Sequence, residues 1–312
     1  MDINDKKPNY ALVANTLNVT CDLPVEIIPG HFFQKANDEQ IENIQATLDK
    51  FSTPNFGRPQ LRYEHKAIKN DTSDGYRFES IDDKENWNYY VIQFFGSNNK
   101  LHDIELAANI LDIGLRFELC FISGGHTWGP STTTFYNNFP FEDPEPQRLI
   151  IEDLKELSAI YNDMENIEEK YPSINQALSM LKSLNSLPPH TEFHILGLFT
   201  VIESIITHTP KGAETGDSLT RQIKTKIPLL SHRFSNLIDY KPFFTDVNED
   251  KVWTLLYEYR SNLAHGRTPD FNNALASLKS RNNAESFLRC ITKALLRHAL
   301  IEPQLYMDLQ KC

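Results

Sequence analysis

Hydrophobic residues follow different spacings in the two halves of the chain. In the first half, alternating and short apolar runs predict strands within residues 9–35 and at 89–95 (YYVIQFF). Apolar residues three and four apart predict helices over 38–51 and 100–119. Strands and helices mixed in this way, without an internal repeat, predict an α+β domain for residues 1–140.

From residue 148 onward the spacing becomes helical throughout. Apolar residues three and four apart recur in one segment after another, and the connections between them are modest in length. The predicted helices cover 148–169, 173–187, 191–208, 215–231, 249–265, 271–283 and 284–301. Helices of this kind fit an all-α bundle over 148–312. The stretch 131–147, rich in proline and asparagine, is the predicted linker.

The segment 191–208 (TEFHILGLFTVIESIITH) is apolar nearly all round, which predicts a helix at the centre of the bundle. Glu203 is the carboxylate inside this apolar run. Burying a carboxylate is costly unless a partner compensates its charge. We therefore expect a cation such as Arg260 to pair with it.

The stretch from Trp253 to Gly266, WTLLYEYRSNLAHG, is predicted to be the end of a helix. Gly266 stands where a left-handed residue would close the helix, and Pro269 keeps the helix from resuming. Arg260 and His265 lie near that end. A fixed cation and a titratable imidazole are suited to chemistry on a phosphate.

Composition limits the class of protein. Of the 312 residues, 40% are hydrophobic and 23% are charged, which indicates a soluble globular chain. No apolar run reaches the roughly 18 residues that span a bilayer. Because the first ten residues lack an apolar signal core, we expect a cytoplasmic protein without a membrane partner. The four cysteines have no CxxC spacing and the histidines no HExxH spacing, so we expect no metal site, disulfide framework or cofactor.

Charge is distributed unevenly along the chain. The net charge of −11 disfavours a protein that coats nucleic acid non-specifically. Residues 251–300, however, contain eight cations and three anions, a local balance of +5. Two interpretations are open: a solvated helix face, or a basic surface that receives a polyanion. In the second, Arg267, Lys279 and Arg281 are candidate RNA-binding residues.

The loop GGHTWGP at 124–130 carries two glycines beside His126 and Trp128. Such a loop could form a backbone nest for an anion or a shelf on which a base stacks. It lacks the lysine and the downstream pattern of a phosphate-binding P-loop. A structural turn is therefore the favoured interpretation.

The C-terminal half resembles the HEPN superfamily, and more narrowly its ApeA-like branch, which is found in bacterial anti-phage and abortive-infection proteins. Three features carry the resemblance: Glu203 in a central helix, the segment TGDSLTRQI, and YEYRSNLAHG. The superfamily motif is an arginine, a polar residue, a few further residues and a histidine, and Arg260-Ser261 followed by His265 fits it. The N-terminal half is similar to the domain that often precedes ApeA-like bundles, through YYVIQFFG and LRFEL.

The resemblance implies metal-independent cleavage of RNA by a dimer that acts in anti-phage defence, in abortive infection or as a toxin. It also implies that the N-terminal domain is a sensor or regulator that binds a phage-derived or regulatory trigger. The candidate catalytic residues are Arg260 and His265. Supporting residues are Glu203, Ser261, Asn262 and Tyr257. Catalytic members more often carry Asn, Asp or His directly after the arginine, where this chain has serine and then asparagine.

The same assignment follows from what the chemistry needs. A histidine can take and give protons near neutral pH, and an arginine can bind phosphate oxygens with two parallel N–H groups. Residues five apart are separated by about 500° of rotation, so the side chains of Arg260 and His265 diverge by about 140° on a regular helix. Two such helices facing across a two-fold axis would bring both pairs into one cleft. We therefore expect a homodimer.

The main alternative is a non-catalytic HEPN-like module that only dimerises or docks a partner. In that case Arg260 neutralises Glu203 as a core ion pair, and His265 caps exposed carbonyls at its own helix end. Tyr257 is then a packing residue. A DNA nuclease that uses two metal ions is disfavoured because the sequence contains no evident acidic cluster.

Overall fold

The first half of the chain builds a sheet with helices and the second half is helical, as the spacing predicts. The computed structural model describes residues 7–51, 61–71, 75–122, 126–128, 146–167, 169–185, 187, 191–209, 218–234 and 237–311. The chain divides into two compact units, Met1–Tyr161 and Asn162–Cys312. We call them the first and second unit.

The first unit is organised around a six-stranded antiparallel sheet with the strand order β3-β4-β7-β1-β8-β9. Its strands and those of two small two-stranded sheets are, in chain order, β1 (Asn9–Val13), β2 (Leu17–Val19), β3 (Val25–Ile28), β4 (His31–Lys35), β5 (His65–Lys69), β6 (Tyr76–Ser80), β7 (Tyr90–Phe94), β8 (Phe117–Ile122), β9 (His126–Trp128) and β10 (Gln147–Leu149). Strand β10 runs parallel to β2, and β5 pairs antiparallel with β6.

Among the described residues, helices α1 (Asp38–Phe51), α2 (Leu61–Glu64) and α3 (Leu101–Ile110) accompany these strands in the first unit, and α4 (Ile151–Asn166) begins in it. Ile44 and Leu48 of α1 pack with Tyr10 and Leu12 of β1 in one apolar cluster. Since strand residues alternate between faces, this contact assigns one face of the sheet to α1. The predicted helix at 38–51 and the predicted strand at 89–95 are both confirmed.

The predicted helix at 100–119 is only half right. Helix α3 ends at Ile110, and the chain reverses through Asp112, whose φ is +60°. The N–H of Ile113 then bonds to the carbonyl of Ala108 at 2.9 Å, which closes the helix. Residues 117–122 form β8 and pair with β1 instead. The pairing partner lies about a hundred residues away, so local periodicity gave no sign of it.

The second unit is helical in the part that the structure describes. The described helices are α5 (Pro172–Leu184), α6 (Glu192–Ile206), α7 (Leu219–Ser231), α8 (Lys241–Phe244), α9 (Glu249–Ala264), α10 (Arg281–Ile301) and α11 (Pro303–Leu309). Helix α6 is buried on most sides, as expected for a central helix. Gly197 of α6 has Leu184 of α5 in the space that a Cβ would occupy, 2.1 Å from Cδ2, so these helices approach closely.

Two further predictions differ from the structure. Residues 271–280 form turns and a short 3-10 segment, and the helix that follows begins only at Arg281. The segment predicted as a helix from 148 begins with β10, and α4 starts at Ile151. The two units divide inside α4, between Tyr161 and Asn162. The predicted linker lies outside the described residues except for 146–147, and so does most of the glycine-rich loop, of which only the backbone of β9 is described.

Candidate active site

Helix α9 carries the arginine and the histidine, and its ends are well defined. Asn248 caps the first turn, since its side chain accepts a hydrogen bond from the N–H of Asp250 at 2.9 Å. At the other end Gly266 has a φ of +65°, as predicted from the sequence. The N–H groups of Gly266 and Arg267 bond to the carbonyls of Leu263 and Asn262. This pair of bonds is a Schellman motif, which stops the helix immediately after Ala264.

Glu203 projects from α6, whose surroundings explain why it needs partners. Thr191 caps this helix, and the residues around Glu203 on the buried faces (Phe199, Ile202, Ile205 and Ile206) have no exposed surface. The Glu203 side chain itself is 13% exposed. A carboxylate in such a place loses most of its hydration and must recover it from protein donors.

Two residues of α9 supply those donors. Nη2 of Arg260 donates to Oε2 of Glu203 at 3.0 Å, and the Tyr257 hydroxyl donates to Oε1 at 3.1 Å. Tyr257 and Arg260 are three residues apart on α9, so both side chains project toward α6. The expected ion pair between Arg260 and Glu203 is therefore present, and the two oxygens of the carboxylate have separate donors.

Burial and a neighbouring charge keep the Tyr257 hydroxyl protonated. Burial raises the pKa of the Tyr257 hydroxyl, and the neighbouring charge of Glu203 raises it further. The tyrosine therefore remains a donor to the carboxylate at every physiological pH. Arg260 is permanently charged. Its side chain is 31% exposed, and its Nε–H is buried without a hydrogen-bond partner among the described residues.

His265 stands apart from that cluster. It occupies the C-cap of α9, with φ −99° and ψ 10°, and its side chain is exposed. Among the described residues its ring makes no hydrogen bond or ion pair, so the structure brings together Glu203, Tyr257 and Arg260 but not the histidine. The position agrees with the divergence expected of residues five apart on one helix.

The remaining candidate residues fall into two groups. Ser261 and Asn262 contribute backbone carbonyls that close the helix end, to the N–H groups of His265 and Arg267 respectively. Arg267 and Lys279 are exposed cations. Arg281 is directed at a carboxylate, with Nη1 3.6 Å from Oε1 of Glu192. Of the three candidate RNA-binding residues, Arg267 and Lys279 thus have the more open side chains.

Sequence reasoning missed two polar residues that are buried beside this cluster. Gln222 and Lys226 lie one turn apart on α7 and are only 6% and 7% exposed. Both bond to the backbone at the end of α6, close to Glu203. The sequence gives only a weak indication that these two residues are buried. Gln222 immediately precedes Ile223 and Lys226 immediately precedes Ile227, and both isoleucines belong to the buried apolar stripe of the helix.

Comparisons with known proteins give no relative from which to transfer a function. No protein-family model, curated protein or solved structure matches this chain. Within the described ranges no helix is both long and apolar enough to cross a bilayer. In the same ranges no group of three or more His, Cys, Asp or Glu side chains is arranged to hold a metal ion.

Proposed function

We propose that the chain is a metal-independent endoribonuclease of the HEPN type that works as a homodimer. The observation that carries the proposal is the oriented Arg260 guanidinium near the end of α9, with the exposed His265 imidazole at the cap of the same helix. An oriented cation and an accessible imidazole are the groups that phosphodiester cleavage without a metal requires. Anti-phage defence, abortive infection or toxicity is the biological setting that the sequence resemblance suggests.

In the proposed reaction the 2′-hydroxyl of a ribose attacks the adjacent phosphorus. The O2′–P bond forms as the P–O5′ bond breaks, which leaves a 2′,3′-cyclic phosphate on one fragment and a 5′-hydroxyl on the other. The 2′-hydroxyl loses its proton and the O5′ leaving group gains one. His265 serves as the base or the acid in this exchange, and Arg260 stabilises the charge that grows on the phosphate oxygens.

A second copy of the chain completes the proposed site. Arg260 points toward α6 and His265 lies at the open end of α9, so one helix alone presents them to different sides. A two-fold axis near the end of α9 would put the histidine of one protomer within reach of a phosphate bound by either arginine. Arg267 and Lys279, both exposed, are placed to attract the flanking phosphates. The N-terminal domain would act as the sensor of a trigger.

Cleavage assays in EDTA test the proposal. We expect purified protein to cut RNA without a divalent metal and to leave cyclic phosphate ends. His265→Ala should lower the rate by about 10²- to 10⁴-fold and Arg260→Ala by about 10²- to 10³-fold. His232→Ala, at the end of α7, is the matched control and should leave the rate unchanged. If the wild type cuts no RNA, and His265→Ala does not relieve toxicity in cells, the proposal is wrong.

The second candidate function is a non-catalytic dimerisation or docking module. The ion pair between Arg260 and Glu203 favours it, because a paired arginine also has a purely structural explanation. This candidate predicts that His265→Ala preserves partner binding and phenotype. Loss of a defined RNA product on that substitution would exclude it.

A further inference from the structure

The last turn of α6 is held by several side chains that bond to its backbone. Nζ of Lys226 donates to the carbonyl of Ile206 at 3.0 Å, and Nε2 of Gln310 donates to the carbonyl of Ser204 at 2.5 Å. Gln222 bonds to both backbone groups of His208, accepting from its N–H at 2.9 Å and donating to its carbonyl at 3.1 Å. The end of a helix leaves carbonyls without intrahelical partners, and here side chains from elsewhere in the second unit satisfy them.

Lys226 lies where two helix ends meet. Besides the carbonyl of Ile206, the last residue of α6, its ammonium donates to the carbonyl of Leu309, the last residue of α11, at 2.6 Å. Helix C-termini carry partial negative charge, so a buried ammonium is stabilised at this point. Removing the ammonium would leave both carbonyls without this donor, and the buried Ile206 carbonyl would keep the desolvation cost of its burial.

Glu203 belongs to the same turn that Lys226 and Gln222 hold. Its own carbonyl accepts from the N–H of Thr207 at 3.0 Å and from the Thr207 hydroxyl at 2.8 Å. A displacement of residues 204–208 would therefore displace Glu203. Because Arg260 and Tyr257 bond to the two oxygens of Glu203, the guanidinium would move with it.

We infer that Lys226 and Gln222 are positioning residues of the candidate active site. They fix the last turn of α6 and, through Glu203, hold the Arg260 guanidinium in place. The catalytic consequence of this inference rests on the proposed function. The structural coupling between Lys226 and Arg260 does not rest on the proposed function, and it can be measured without an activity assay.

The kinetic test compares two identical substitutions on one helix. Lys226→Met should lower kcat for RNA cleavage by roughly 10- to 100-fold, since small displacements of an aligned group have costs of that order, while KM stays within about twofold. Lys224→Met, two residues away and less buried, should leave kcat unchanged. Lys226→Arg keeps donors at this point and should restore much of the rate. In a Glu203→Gln background Lys226→Met should have a much smaller effect, because both substitutions act through one route.

The test that does not depend on catalysis follows the Nε–H of Arg260 by NMR. We expect a resolved signal in the wild type and in Lys224→Met, and a broadened or absent signal in Lys226→Met and Glu203→Gln. If Lys226→Met does not fold, Gln222→Leu takes its place with the same expectation. The inference is overturned if amides 204–208 exchange faster in the variant while the Arg260 signal stays as in the wild type.

The two arms separate two kinds of failure. A wild type that cuts no RNA, and whose toxicity His265→Ala does not relieve, would refute the proposed function, and the NMR coupling would then still support the positioning role. Cleavage that depends on His265 but responds equally to Lys226→Met and Lys224→Met would refute the positioning role alone. Fully additive effects of Lys226→Met and Glu203→Gln on kcat would also refute it.

Discussion

Each of the two units places a largely shielded glutamate beside an arginine, yet the surroundings of the two pairs differ. In the first unit Nε of Arg116 lies 2.7 Å from Oε1 of Glu118, and in the second unit Nη2 of Arg260 lies 3.0 Å from Oε2 of Glu203. Both arginine side chains are 31% exposed. The difference lies in the other neighbour of each carboxylate.

The second neighbour is another acid in one unit and a donor in the other. Glu118 on β8 shares a small cavity with Glu105 of α3. Burial raises the pKa of Glu105 to about 7, and the charge of Glu118 adds to the effect. Burial likewise raises the pKa of Glu118 to about 7 in spite of Arg116. Glu203 instead has the Tyr257 hydroxyl beside its arginine. A neighbouring arginine alone therefore does not keep the pKa of a buried glutamate in its ordinary range.

The largest effect expected from this comparison concerns Glu203. Glu203→Gln removes the anion that faces Arg260 and weakens the bond from Tyr257, so the second unit should lose about 2 kcal/mol of stability. Urea unfolding at pH 7 measures the change. Glu258→Gln, at an exposed position of α9, the helix that carries Tyr257 and Arg260, is the control and should change stability by less than about 0.5 kcal/mol. Equal midpoints for the two variants would contradict the role assigned to Glu203.

The next effect is a pH dependence of the first unit. The folded state binds protons at Glu105 and Glu118 with pKa values of about 7, whereas unfolded glutamate has a pKa of about 4.5. Their contribution to stability is therefore complete below pH 4.5 and is lost as the pH rises through 7. The unfolding free energy of the first unit should fall between pH 5 and 8, and we expect Glu105→Gln to make that fall smaller by about 1–2 kcal/mol.

Thermal unfolding of the full-length chain across that pH range measures this prediction. Glu42→Gln, on the exposed side of α1 in the same unit, is the control and should keep the slope of the wild type. A wild-type first unit that becomes more stable from pH 5 to 8, with Glu105→Gln parallel to it, would show that this pair does not hold protons.

A smaller effect is expected from the hydroxyl that distinguishes the Glu203 pair. Tyr257→Phe keeps the ring contact with Phe199 and removes only the bond to Glu203. Stability of the second unit should fall by about 1 kcal/mol, which is typical of one hydrogen bond. Tyr306→Phe removes another buried hydroxyl, bonded to His298 at 3.1 Å. Under the proposed function, Tyr306→Phe leaves RNA cleavage unchanged, whereas Tyr257→Phe lowers it.

Effects of about 1 kcal/mol or less should come from two helix ends of the same geometry. Helices α3 and α9 both end in a Schellman motif, through Asp112 with φ +60° and Gly266 with φ +65°. A Cβ at Gly266 would meet nothing within 4 Å, so Gly266→Ala should cost about 1 kcal/mol from backbone strain alone. Asp112→Gly should gain about 0.5 kcal/mol in the first unit. Calorimetry on the two variants should show melting shifts of opposite sign.

The helical unit was more accessible to sequence reasoning than the sheet. The helices that carry Glu203 and Arg260 follow from spacing and caps that lie within a few residues of one another. The helix predicted at 100–119 was too long because Leu111 and Leu115 continue the apolar spacing of the helix. The chain reverses at Asp112, which has a positive φ. A glycine at that position would have indicated a helix end in the sequence, but an aspartate did not. At 271–280 the side chain of Asp270 bonds to the N–H groups of Asn272 and Asn273, a turn that apolar spacing does not reveal.

The candidate site could be predicted only in part. The pair of Glu203 and Arg260 followed from the cost of a lone carboxylate in an apolar helix. The cost of burial predicts that Glu203 has a charged partner, but it does not say how many donors the carboxylate has. The hydrogen bond from the Tyr257 hydroxyl is therefore seen only in the structure. Gln222 and Lys226 could not be foreseen, because they bond to backbone N–H and C=O groups at or just beyond the ends of other helices, and any residue type can supply those groups.

Helix α4 has a practical consequence for dissecting the protein. Its apolar residues Leu154 and Leu157 are fully buried, and its Ser158 hydroxyl bonds to the carbonyl of Ile27. A fragment that starts at residue 148 would contain this helix but not Ile27, to which it bonds, and its apolar stripe would be exposed to solvent. Fragments divided after Asn166 would keep the helix whole and in the same fragment as Ile27, and we expect those to be the ones that express without aggregating.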